Sequence, residues 1–107
     1  MINALVRRTI PRDKDREVLT IIARLRARAA HARGYISSEI VWNLEKELEY
    51  VSMTKWQNLE SWKAWLESEP HRELQSKLDD LGCVTSYELF GYPEEHALYY
   101  YEETKGV

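Results

Sequence analysis

The sequence predicts an α+β fold of the ferredoxin-like type: a split β-α-β-β-α-β chain whose four-stranded antiparallel sheet carries its helices on one face. Three observations predict it. Four short segments show the alternation or the β-branched and aromatic content of strands, helical stripes of period three to four occupy the two stretches between them, and turn or capping residues divide the elements. A chain of 107 residues holds a single core, because independent domains usually need about 100–150 residues.

In the first segment Ile2, Ala4, Val6 and Ile10 fall on alternate positions, the period of a half-buried strand, and Pro11 closes it. Asp13, Asp15 and Glu17 then put negative charge where a helix N-terminus stabilises it. Val18, Ile22, Leu25 and Ala29 follow at helical spacing, which leaves Arg24, Arg28 and Arg33 for solvent or a partner, with Gly34 as the expected C-terminal stop. Tyr35 to Leu44 and Leu48 to Trp56 read as two strands joined by a short hairpin at Glu45-Lys46-Glu47. Asn58 is placed to cap a second helix with Leu59, Trp62, Trp65 and Leu66 on one face. Pro70 fits the first turn of a helix but not its interior, so Ser68 or Glu69 caps a fresh segment with the stripe Leu74, Leu78 and Leu81, ending at Gly82. Cys83 to Phe90 reads as the last strand. A sheet covered on one face only leaves the other open, and dimerisation through that open face is the economical way to bury it.

Composition narrows the function classes. With 44% hydrophobic and 31% charged residues the chain is a folded domain rather than a disordered one. Net charge is -3, yet residues 1–34 carry +6 and residues 35–107 carry -9, a split that can be neutralised within a fold or between subunits. The acidic total argues against a nucleic-acid partner, and no apolar run is long enough to span a membrane. The opening residues contain no apolar leader core, so the expected location is cytoplasmic. One cysteine excludes an internal disulfide, no two histidines share a metal-ligand spacing, and no metal site is expected. Eleven of the twelve aromatic residues are Trp or Tyr, rings that combine apolar area with a polar tip and suit the wall of a cavity.

With the elements placed, Val51 to His71, VSMTKWQNLESWKAWLESEPH, resembles the signature region of the antibiotic biosynthesis monooxygenase family. There a strand ending in Trp leads into a helix and then into a Ser-x-x-His turn, landmarks that correspond to Trp56, Ser61 to Trp65, and Ser68 to His71. The resemblance extends over residues 1–90, leaving 91–107 as a C-terminal tail that packs on the partner subunit or covers the pocket. It implies a homodimer with its sheets packed face to face and a pocket in each subunit between sheet and helices. In some members that pocket oxidises polycyclic phenols or quinols with O₂ and no cofactor. A haem-degrading branch uses an Asn on the first strand with a Trp and a His on the second helical region. Trp65 matches that Trp, but Val6 and Gln75 stand at the Asn and His positions and Asn3 lies on the opposite strand face, so haem binding or degradation is disfavoured.

Cofactor-independent oxygenation requires deprotonation of an electron-rich phenol or quinol and a dry cavity that holds the anion beside O₂. Trp65 as pocket wall and His71 as general base or hydrogen-bond donor are the catalytic candidates. Val6, Trp56, Trp62, Gln75 and Leu78 are the expected substrate-binding residues. Cys83 has no neighbouring His in sequence and receives no role. The rival reading is a non-enzymatic dimeric ligand-binding or interaction domain, in which the same aromatic residues fill the core. A cavity beside Trp65, with His71 bordering it, is what separates the two.

Overall fold

A computed structural model describes residues 1–95. Residues 96–107 of the expected C-terminal tail lie outside the described residues. The elements run β1 Ile2–Thr9, α1 Asp15–Ala29, β2 Tyr35–Trp42, β3 Glu49–Trp56, α2 Leu59–Glu67, α3 Glu69–Asp80 and β4 Val84–Gly91. The strands form one antiparallel sheet in the order β2-β3-β1-β4. This is the expected ferredoxin-like arrangement.

Strand pairing fixes which side chains share a face. Ala4, Val6 and Arg8 of β1 lie opposite Thr54, Ser52 and Tyr50 of β3, and opposite Leu89, Tyr87 and Thr85 of β4. That face meets the helices. Along α1 the buried residues are Val18, Ile22, Leu25 and Ala29, the four that the spacing selects. Each full burial of such a side chain is worth about 1.5–3 kcal/mol before chain entropy is counted. A bulge at Ile36 keeps Tyr35 and Ser38 on the helix-facing side although they are three residues apart, and the Tyr35 hydroxyl donates to Ser38 Oγ at 2.9 Å.

The starts of α2 and α3 and the end of α3 follow the capping chemistry closely. Asn58 Oδ1 accepts from the Ser61 N–H at 2.8 Å, and Ser68 Oγ accepts from the His71 N–H at 3.4 Å with Pro70 in the first turn of α3. Gly82, at φ +91°, ends α3 in a Schellman turn: its N–H donates to Asp79 O and the Cys83 N–H to Leu78 O, both at 3.0 Å.

Three local expectations differ from what forms. The loop between β2 and β3 spans residues 43–48 rather than three residues, because Asn43 Oδ1 accepts from the backbone N–H groups of Glu45 and Lys46 and closes a turn of its own. Asp13 sits before α1 at φ +69°, in a turn rather than in the first helical turn. Gly34 does not stop α1, which ends at Ala29 with Ala30 as its right-handed C-cap. It serves a close approach instead. At φ +86° its backbone lies against α2, where an added Cβ would stand 2.1 Å from Ser61 Oγ.

Gly34→Ala is therefore expected to cost about 3 kcal/mol in urea unfolding, through both the clash and the left-handed backbone. In a Ser61→Gly background the same change should cost only about 1 kcal/mol, the backbone part alone. Equal costs in the two backgrounds would show that no close contact exists there.

Candidate active site

Between the helix-facing side of the sheet and the helices lies a cavity of about 40 Å³. Its floor comes from β1, β3 and β2: Val6 and Arg8, Ser52 and Thr54, and Ser38. Its roof comes from the inner stripe of α1 with Arg26, from Trp62 and Trp65 of α2, and from His71 at the start of α3. A hydrophobic floor would be the ordinary choice for such a sheet. Three hydroxyls and a guanidinium in its place make this the polar centre of an otherwise apolar interior.

Ser68 places the two catalytic candidates. Its hydroxyl donates to the Trp65 carbonyl at 2.6 Å while accepting from the His71 N–H, so one residue closes α2 and opens α3. The break turns both side chains inward, with ring centroids 5.3 Å apart and planes at 74°. His71 is only 6% exposed. Burial first, and the nearby Arg8 charge second, push its pKa down to about 4, against a smaller upward pull from a hydrogen bond with the Leu66 backbone. The imidazole is neutral near pH 7 and acts as an acceptor toward the cavity only weakly.

Arg8 is the cavity residue that the sequence reading missed. It is 5% exposed on the central strand, and its partners are neutral: Nη1 donates to Gln75 Oε1 at 2.9 Å and to Thr85 Oγ1 at 3.0 Å. Its Nε finds no acceptor among the described residues, and neither does the Nε of Arg26 across the same cavity. Burial lowers the Arg8 pKa, but from a value high enough that it stays a cation. The signal was present in the strand pattern: the phase that selects Ala4 and Val6 also selects position 8, where a charged residue interrupts the apolar series.

The expected binding residues divide into three groups. Val6 and Trp62 border the cavity with Trp65 and His71. Trp56 does not reach it; fully buried at the end of β3, one same-face step beyond Thr54, it backs the wall with its ring 5.9 Å from Trp62 and 6.4 Å from Trp65. Leu78 is likewise core, two turns along α3 from His71. Gln75 acts through Arg8: its oxygen accepts from the guanidinium, and its amide donates to Asp79 Oδ1 at 2.9 Å and Thr85 Oγ1 at 3.2 Å. Cys83 is buried, and burial pushes its thiol pKa up, away from nucleophilic use.

A ferredoxin-like domain with a buried polar cavity under a Trp-His pair defines the class, and the sequence assigns it further. The chain belongs to the antibiotic biosynthesis monooxygenase family, whose pattern matches residues 1–77. The fold is similar to that of SnoaB, a cofactor-independent oxygenase from Streptomyces nogalater, with a TM-score of 0.76 and 19% identity over 85% of this chain and 91% of that one. It is also similar to an antibiotic biosynthesis monooxygenase candidate from Deinococcus radiodurans, with a TM-score of 0.79 and 10% identity over 86% of this chain and 92% of that one. A conserved protein from Methanosarcina mazei gives a TM-score of 0.76 and 17% identity over 83% and 89%. No curated protein matches the sequence. Among the described residues no helix is long and apolar enough to cross a membrane, and no group of three or more His, Cys, Asp or Glu converges as a metal site. Haem does not fit the residues as they stand, because His71 shares its 40 Å³ with Trp65 and two guanidinium groups.

The depressed His71 pKa has a sign that can be tested. The unfolded chain takes up a proton at this position near pH 6.5, the native state only near 4, so the contribution is complete above 6.5 and lost between 6.5 and 4. After allowance for hydration through the cavity, that loss is roughly 2 kcal/mol. Urea unfolding at pH 7 and pH 4.5 should show a smaller fall in His71→Gln than in the parent, and identical falls would refute a neutral buried His71.

Proposed function

We propose that this protein is a cofactor-independent monooxygenase that oxidises a planar phenol or quinol in the cavity beneath Trp65. The observation that carries the reading is the buried junction of Trp65, His71 and Arg8: an aromatic wall, a neutral imidazole and a fixed positive charge in one water-poor space. Family membership and the fold shared with a cofactor-independent oxygenase support it.

The chemistry asks little of the protein. A phenol transfers its hydroxyl proton toward His71, the phenolate passes an electron to O₂, and the two radicals combine at the ring carbon para to the oxygen. Loss of water from the adduct leaves a quinone. One oxygen atom enters the ring and the other departs as water, with the substrate's own C–H and O–H supplying both hydrogens and all electrons. Because His71 is a weak base, the Arg8 charge has to favour the phenolate. A single aromatic ring needs a cavity of about 150 Å³, so entry of the ring into 40 Å³ requires Trp65 to swing outward.

Oxygen uptake with a panel of hydroquinones and polycyclic phenols tests the proposal. Trp65→Phe and His71→Gln should each lower kcat/KM by about tenfold to a thousandfold. Uptake with no compound, or uptake unchanged by both substitutions, would leave the non-enzymatic binding domain as the better reading.

We further propose that the working unit is a homodimer through the open sheet face. Leu5, Val41, Val51, Met53 and Phe90 lie on that side, framed by the Arg7–Glu88 ion pair. Among the described residues no element covers them. A second copy would bury them sheet against sheet. Met53→Glu should convert a dimer to a monomer in sedimentation while the circular dichroism spectrum persists; a parent protein that sediments as a monomer defeats the idea.

A further inference from the structure

The cavity contains two positive groups and no negative one. Arg8 and Arg26 border it, each with an Nε that meets no acceptor among the described residues, and no Asp or Glu lines it. The nearest carboxylate acting on Arg8 is Asp79, which reaches it only through the Gln75 amide. Arg26 is held even more loosely, by one contact of 3.5 Å from Nη2 to the Ser38 carbonyl. Burying a guanidinium against neutral partners is costly, because they hold the group in place without cancelling its charge. A volume of about 40 Å³ accepts a carboxylate-sized group but not a ring.

We propose that this cavity is an oxyanion site, in which the guanidinium groups of Arg8 and Arg26 bind a carboxylate-sized anionic group, with the hydroxyls of Ser38, Ser52 and Thr54 beside it. The assignment rests on the oxygenase reading only in that it gives the substrate class, an aromatic acid or an already ionised phenol whose ring stays at the Trp65 side. It also answers the weakness of His71 as a base, since a substrate that arrives ionised needs no strong one. The bound group would supply the counter-charge that the fold omits.

Binding without turnover tests it. Benzoate, benzamide and acetate are titrated at fixed ionic strength against the full chain, followed by the fluorescence of the cavity tryptophans and by calorimetry. Benzoate should bind at least about tenfold more tightly than its neutral isostere benzamide. Arg8→Met and Arg26→Met should each remove most of that preference while leaving benzamide unaffected. Arg26 is half-exposed, so its variant folds even if the one at Arg8 does not. Benzoate binding more tightly than acetate identifies the anion as part of an aromatic substrate; acetate binding equally well identifies a free small acid, and the site stands in either case. Equal affinity for benzoate and benzamide, or an anion preference that survives both arginine substitutions, overturns it. Anion binding lost with the arginines but with no oxygen uptake on any phenol would sink the oxygenase reading and leave this site intact, and uptake on a phenol together with equal affinity for benzoate and benzamide would do the reverse.

Discussion

A guanidinium at an inward position of the central strand constrains much of what surrounds it. Because Arg8 lies on β1, between β3 and β4, it has no route to solvent along the sheet, and its donors must be met from the elements above and beside it. Gln75 and Thr85 meet two of them, and Tyr87 donates to the same Gln75 oxygen at 3.4 Å. One buried charge thus ties β1, α3 and β4 together by polar contacts. Its field reaches further, holding His71 neutral from one side while working against the burial that raises the pKa of Tyr87 and Cys83 on the other. Neutral partners suffice to hold the group in place but not to cancel its charge, which is why the cavity stays electrostatically one-sided.

The second organising feature is aromatic. Trp56 sits at the centre of edge contacts to Tyr35 at 5.8 Å and Trp62 at 5.9 Å, and of a stacked contact to Trp65 at 6.4 Å. Such pairs add about 0.5–1.5 kcal/mol each beyond the area they bury. The cluster stiffens the end of the site near Trp62, where Tyr87 also packs at 5.9 Å. Trp65 is different: one side rests on Trp56 and His71, and the other borders an outer groove of about 360 Å³ between the end of α1 and α2. A ring with packing on one side and open volume on the other is the wall that can move. The small cavity and the need to admit a ring are reconciled at this residue.

Much of this architecture was legible in the sequence because it rests on local rules. The four inward residues of α1, the Asn58 cap, the fresh start of α3 at Ser68 and the stop at Gly82 follow from spacing and capping chemistry that acts over a few residues. Trp65 and His71 were legible too, since Ser68 and Pro70 fix the break that brings them together. What was not legible depends on tertiary approach. Gly34 reads as a helix stop until α2 is seen lying against it, and Trp56 and Leu78 look like pocket residues until the depth of each along its element is known. Arg8 is the instructive case: alternation placed it inward, but a charged residue at an inward position is normally taken as a break in the pattern rather than as part of a cavity.

The charge asymmetry of the chain acquires a physical meaning from this placement. The basic segment of residues 1–34 supplies the two elements that enclose the cavity from opposite sides, β1 below with Arg8 and α1 above with Arg26. Three more of its arginines, Arg24, Arg28 and Arg33, line surface grooves flanking α1 on either side of that roof. Among the described residues the ion pairs are exposed and none uses an arginine of α1: Arg7 with Glu88, Met1 with Glu95, Lys14 with Glu17 at the far end of α1, and Lys77 with Glu73 in the groove that Arg24 and Arg28 also line. The summed potential of these α1 arginines favours anions on the side of the molecule where the buried Arg8 and the half-exposed Arg26 border the cavity. An acidic protein with a basic roof over a cationic cavity is arranged to repel anions from most of its surface and to concentrate them at one place.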